Sequence, residues 1–137
     1  MTDATELDYI RTFIGAVCTG STVKHVVEHG KKTDSIIDAT FQKILVKQGE
    51  LIETYCNVYI KRFKVLLSQA SEILLITTLN NLIDGIQKLN KRLSITAYTK
   101  PSTLIWIDLV SCNEGSYNYK SGNWLNQLIL DVKFTTS

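Results

Sequence analysis

A chain of 137 residues with 45% apolar and 20% charged side chains has the size and make-up of one folded domain and excludes a disordered one. Its net charge of +2 is evenly spread, with nine basic against eight acidic residues in 1–69 and six against five in 70–137, so no overall field marks a nucleic-acid binder. The polar, acidic start MTDATELDY is no signal peptide, and the apolar runs fall far short of the roughly 20 residues of a membrane helix. The expected location is therefore cytoplasmic, or nuclear in a host with a nucleus, with no secretion and no membrane insertion.

Residues 5–18 carry Leu7, Ile10, Phe13, Ile14 and Val17 at helical spacing, which predicts a first helix. Thr19-Gly20-Ser21 breaks it. Residues 22–29 place Val23, Val26 and Val27 on one helical face, and Gly30 follows as a stop. A third helix is expected over about 34–48, with Ile37, Phe41, Ile44 and Leu45 inward and Gly49 at its C′ position. Residues 50–66 fit either a strand pair or a further helix, because their aromatic and β-branched side chains satisfy both periods.

In the second half, Glu72–Thr78 reads as a short buried strand, and Asn80 or Asn81 caps a helix through Arg92. Ser94–Thr99 and Thr103–Val110 read as strands on either side of Pro101, and a last strand begins at Trp124. Strand, helix, strand in that order predicts a right-handed crossover and a parallel pair at 73–78 and 95–99. The expected fold class is α+β or α/β. The N-terminal half is helical, and the C-terminal half holds a small mixed sheet with one crossover helix. The chain is read as a single domain, 1–137, with a subdivision into a helical part, 1–66, and a sheet part, 67–137.

The three cysteines, Cys18, Cys56 and Cys112, have no paired spacing and are read as reduced thiols. No phosphate-binding loop, dinucleotide fingerprint or hydrolase motif is present, and two histidines with scattered cysteines make no zinc site. No cofactor and no metal is expected. Tyr117, Tyr119 and Trp124 flank Lys120, either as a turn packed by its own aromatics or as a patch for protein or single-stranded nucleic acid.

Two family resemblances lie on this pattern. The run TVKHVVEHGKKTDSIIDATFQKILVKQGELIETY, with Leu45, Gly49 and Leu51 where the third helix ends, resembles a winged helix. That resemblance implies a third helix in the major groove, with Lys31, Lys32, Lys43 and Lys47 as nucleic-acid contacts. The run LIWIDLVSCNEGSYNYKSGNWLNQLILDVKF resembles the carboxyl-terminal motif of the phospholipase D-like family. Asp108 is followed at the family's spacing by Gly115, Ser116 and Asn118, but Pro101 and Thr103 stand where the His and the Lys belong. The resemblance implies an inactive relative, with Asp108, Ser116 and Asn118 as a phosphate or ligand pocket and no catalytic residue.

The functional expectation is a non-enzymatic protein-interaction or assembly domain that binds a protein partner or itself, as a homo-oligomer. The alternatives are a nucleic-acid-binding regulator of winged-helix type and, behind it, a phosphodiesterase-type enzyme.

Overall fold

The computed structural model describes residues 3–18, 22–26, 43–47, 50–113, 115–119 and 122–136. Helix α1 spans Asp3–Val17. Strands β1 (Thr22–Val26), β2 (Lys43–Lys47), β3 (Leu51–Tyr55) and β4 (Val58–Gln69) follow. Helix α2 then covers Glu72–Asn90, and the chain closes with β5 (Leu104–Cys112), β6 (Ser116–Asn118) and β7 (Asn123–Thr135).

The seven strands form one sheet along the path β1-β2-β4-β7-β5, with β3 also on β4 and β6 also on β7. Among the described residues, β1 and β2 run parallel and every other strand pair is antiparallel. At its centre, β4 and β7 pair without interruption from Val58↔Thr135 to Gln69↔Trp124. Since β7 occupies one edge of β4 throughout, β2 and β3 share the other edge. By the same logic β5 and β6 share the free edge of β7.

Alternation along the two central strands decides which face is buried. Phe63, Val65 and Leu67 of β4 and Leu128, Leu130, Val132 and Phe134 of β7 are buried on one face. The two helices cover that face. α1 brings Leu7, Ile10, Phe13 and Ile14, and α2 brings Leu75, Leu82, Ile86 and Leu89, to one continuous core. Each such side chain contributes about 1.5–3 kcal/mol by leaving water.

α1 is also tied down by a buried carboxylate. Glu6, 1% exposed, accepts hydrogen bonds from the Tyr59 hydroxyl and, at 2.6 Å, from the Lys61 ammonium, both on β4. α2 begins at Ser71, whose hydroxyl accepts from the Leu74 N–H at 3.2 Å. It ends in a Schellman turn, with Leu93 N–H bonded to the Lys88 carbonyl and Arg92 N–H to the Leu89 carbonyl. Arg92 takes the left-handed conformation there (φ 59°), a position that favours glycine.

Several sequence expectations are overturned. The N-terminal half is not a helical bundle. Its second expected helix contains β1, and its third ends where β2 runs, at 43–47. The valine- and isoleucine-rich cores of these segments suit a pleated surface better than a helix. Gly30, Gly49 and the rest of 27–42 lie outside the described residues. Residues 50–66 resolve as the β3–β4 hairpin, turned at Cys56 (φ 52°) and Asn57.

Glu72–Thr78 is helix, not strand, because it continues a helical row: Leu75, Thr78, Leu82, Gly85, Ile86 and Leu89 all face inward. Residues 94–99 hold only an isolated bridge, Ile95↔Tyr98. The parallel pair at 73–78 and 95–99 is therefore absent. The C-terminal strands pair antiparallel within a sheet whose parallel pair is β1–β2, and α2 crosses from β4 to β5, which run the same way on either side of β7. β4 also runs through the expected subdivision at 66/67.

The helix pair depends on one close approach. A Cβ built on Gly85 of α2 would lie 2.5 Å from Cγ1 and 2.8 Å from Cβ of Val17 on α1. Gly85→Ala is expected to destabilise the fold in a chemical-denaturation series. Overpacking of about 1–3 kcal/mol outweighs the roughly 1 kcal/mol that alanine gains as a helix former. Combining it with Val17→Ala is expected to cost less than the sum of the two single changes. A more stable Gly85→Ala protein would contradict this packing.

Candidate interaction surface

The residues singled out in the sequence do not converge. Asp108 lies on the sheet face away from the helices, exposed, directly across from Asp131 of β7. Asp131 is already held by Arg62, whose Nε and Nη2 donate at 2.9 and 3.1 Å, and this carboxylate keeps the guanidinium proton bound above its ordinary range. Ser116 is exposed on β6 opposite Leu125, and Asn118 is opposite Asn123. The partners of Asp108 and Ser116 are six residues apart on β7, which is about 20 Å along a strand. These positions do not line one pocket.

The expected nucleic-acid contacts fare similarly. Lys43 and Lys47 are the first and last residues of β2, so no recognition helix carries them. Lys31 and Lys32 lie outside the described residues. Among the described residues, no group of three His, Cys, Asp or Glu side chains is placed to hold a metal ion.

What the structure does present is exposed apolar surface, three groups of which stand out beside Leu93, Trp106 and Val110. On the first turns of α2, Ile73, Leu74 and Ile76 are 76%, 47% and 50% exposed. The sequence pattern hides them, because an apolar run that reads as a buried strand has no outer face. The only signal was the inward row Leu75, Thr78, Leu82, which leaves Ile73 and Ile76 outside. On the β6–β7 turn, Tyr117 packs edge-on against Tyr119 and Trp124, with ring centres 5.0 and 5.3 Å apart, and Tyr119 is 90% exposed. On the β3–β4 hairpin, Leu51, Ile52 and Tyr55 all face solvent.

A fourth feature is a cleft of about 580 Å³ between the end of α2 and the start of β5. Leu89, Tyr98 and Ile105 lie on its walls, with Arg92, Leu93 and Lys100 around it. The neighbouring outer edge of β5 is sealed by side chains. The Asn90 amide bonds both the carbonyl (2.7 Å) and the N–H (3.0 Å) of Ile107, and the Lys100 ammonium donates to the Leu104 carbonyl at 2.7 Å. Asn90 thus mimics a neighbouring strand and blunts that edge.

Of the three thiols, Cys18 is buried and its Sγ–H donates to the Thr78 carbonyl, while Cys56 and Cys112 are exposed. Burial pushes the Cys18 thiol from 9.0 to about 12 and the Tyr98 phenol from 10.0 to about 12. Both therefore belong to the packing rather than to any chemistry near neutral pH.

No family model matches this chain, and no curated protein matches it. Among solved structures, it is similar to a chain described as "Virion of native gene transfer agent (GTA) particle". The match has a TM-score of 0.53 at 9% identity and covers 89% of this chain and 84% of that one. The fold is thus one that a virion protein also uses. No described helix is long and apolar enough to cross a membrane.

The buried thiol gives a pH prediction. Its folded pKa lies above its unfolded one, so its stabilising contribution is complete below pH 9.0 and is lost as the pH rises towards about 12. Unfolding midpoints of the native protein are expected to fall through this window. Those of Cys18→Ala, which keeps only the Tyr98 contribution, should fall less. Identical alkaline profiles would contradict the burial of Cys18.

Proposed function

We propose that this protein is a non-enzymatic assembly subunit that packs side by side with copies of itself in a particle of virion type. The observation that carries the reading is the likeness in fold, over most of both chains, to a chain of a gene transfer agent virion. That likeness spans 89% of this chain and 84% of that one.

The surface supports the same reading. Ile73, Leu74 and Ile76 on α2, Tyr119 on the β6–β7 turn and Tyr55 on the hairpin leave large apolar side chains in water. Grouped exposure of this kind marks surfaces that are covered in an assembly. The residues closest to a known catalytic motif, Asp108 and Ser116, stand far apart along the sheet and enclose no cavity. An assembly role needs neither.

Light scattering over a dilution series tests this directly. The purified chain is expected to exceed its monomer mass of 15.5 kDa and to dissociate on dilution. A protein that stays monomeric at every concentration would sink the proposal.

A further inference from the structure

We propose that the β3–β4 hairpin of one copy docks on the basic cleft between α2 and β5 of the next copy, joining subunits head to tail. This rests on the assembly reading above and names the contact that makes it. The two surfaces carry opposite charge. Residues 50–60 hold Glu50 and Glu53 and no basic residue, and the next two, Lys61 and Arg62, are bonded to Glu6 and Asp131, whereas residues 88–100 hold Lys88, Lys91, Arg92 and Lys100 and no acidic one. Lys88 is partly neutralised by Asp84 at 3.2 Å. Among the described residues, no carboxylate pairs with Lys91, Arg92 or Lys100.

Their positions also match. One row of the sheet runs Thr54↔Tyr59, Tyr59↔Phe134 and Phe134↔Leu104, from β3 across β4 and β7 to β5. The hairpin and the cleft therefore sit at the same level on opposite edges. A neighbouring copy set beside the sheet, turned by the sheet's own twist, brings hairpin and cleft together at this level. Because the two surfaces differ, the contact is heterologous, and repeating it closes a ring or extends a filament.

Chemistry at the two surfaces suits side-chain docking rather than strand addition. Asn90 and Lys100 already occupy the outer backbone groups of β5 at Ile107 and Leu104. The hairpin offers Leu51, Ile52 and Tyr55 around its acidic groups, and the cleft offers the exposed Leu93 beside Arg92. Arg92 itself holds a left-handed backbone that costs a non-glycine residue free energy.

Charge reversal on each side separately, then in combination, tests the contact. Glu50→Lys with Glu53→Lys makes the hairpin basic, and Lys88→Glu with Lys91→Glu and Arg92→Glu makes the cleft acidic; Lys100 is kept because it holds the Leu104 turn. Each variant is expected to weaken self-association by at least about tenfold, with an unchanged circular dichroism spectrum and, at dilutions where the native chain is monomeric, an unchanged melting temperature. An equimolar mixture of the two should assemble again, because each hairpin then meets a cleft of opposite sign. The milder Glu53→Gln and Arg92→Gln changes should weaken association less, and they serve if a reversal perturbs the fold. Variants that assemble like the native chain, or a mixture that stays dissociated, would overturn this contact while leaving the assembly reading intact. A native chain that is monomeric throughout overturns both.

Discussion

The twelve-residue pairing of β4 with β7 sets the frame on which every other element is placed. Its alternation sends Phe63, Val65, Leu67, Leu128, Leu130, Val132 and Phe134 to one face, and that face is what the two helices cover. The register also fixes the edges. With one side of each central strand used up by the other, β2 and β3 must join at β4's free edge, and β5 and β6 at that of β7. The hairpin and the cleft reach opposite sides of the sheet for this reason alone. A one-residue slip would turn the buried row outward, so the register is strongly specified.

The helical layer depends on this frame in two ways. Glu6 reaches down from α1 to Tyr59 and Lys61 of β4, which fixes the first helix over the sheet. Gly85 lets α2 approach Val17 closely enough for both helices to share one core. α2 is anchored by its inner row and leaves Ile73 and Ile76 exposed at its start. At its other end, the Schellman turn through Arg92 delivers the chain to the cleft and to Asn90's seal on β5. The exposed apolar turns of α2 and the cleft are therefore products of how the core closes, not separate appendages.

The sequence was legible where an element's period was unopposed. The helix of residues 5–18 and the strands at 104–112 and 123–135 lie where their patterns place them, because Leu7, Ile10, Phe13 and Ile14 fit only a 3.6 period and Leu128, Leu130, Val132 and Phe134 only a period of two. It misled where the periods overlap. Val23 and Val26 satisfy a helix as well as a strand, and pairing with β2, a non-local contact, is what favours the strand. Glu72–Thr78 carries β-branched residues, yet the tertiary demand to cover the sheet overrides their local preference. Of the site, the motif at Asp108, Ser116 and Asn118 was visible as spacing but not as geometry, since pairing with β7 separates its members. The aromatic turn at Tyr117, Tyr119 and Trp124 was visible as composition. The charge contrast between Glu53 and Arg92 was present in the string, but only the sheet row through Tyr59 and Phe134 puts the two at one level.

Hydrogen exchange compared between dilute and concentrated protein reads the central claim most directly, because it reports which backbone segments become covered on assembly. The account predicts slower exchange at residues 50–55 and 91–100 in the concentrated sample, with the amides of β4 and β7 slow in both. Protection that appears instead over residues 73–77 and 117–119, or over none of the surface in a sample that does assemble, would contradict it.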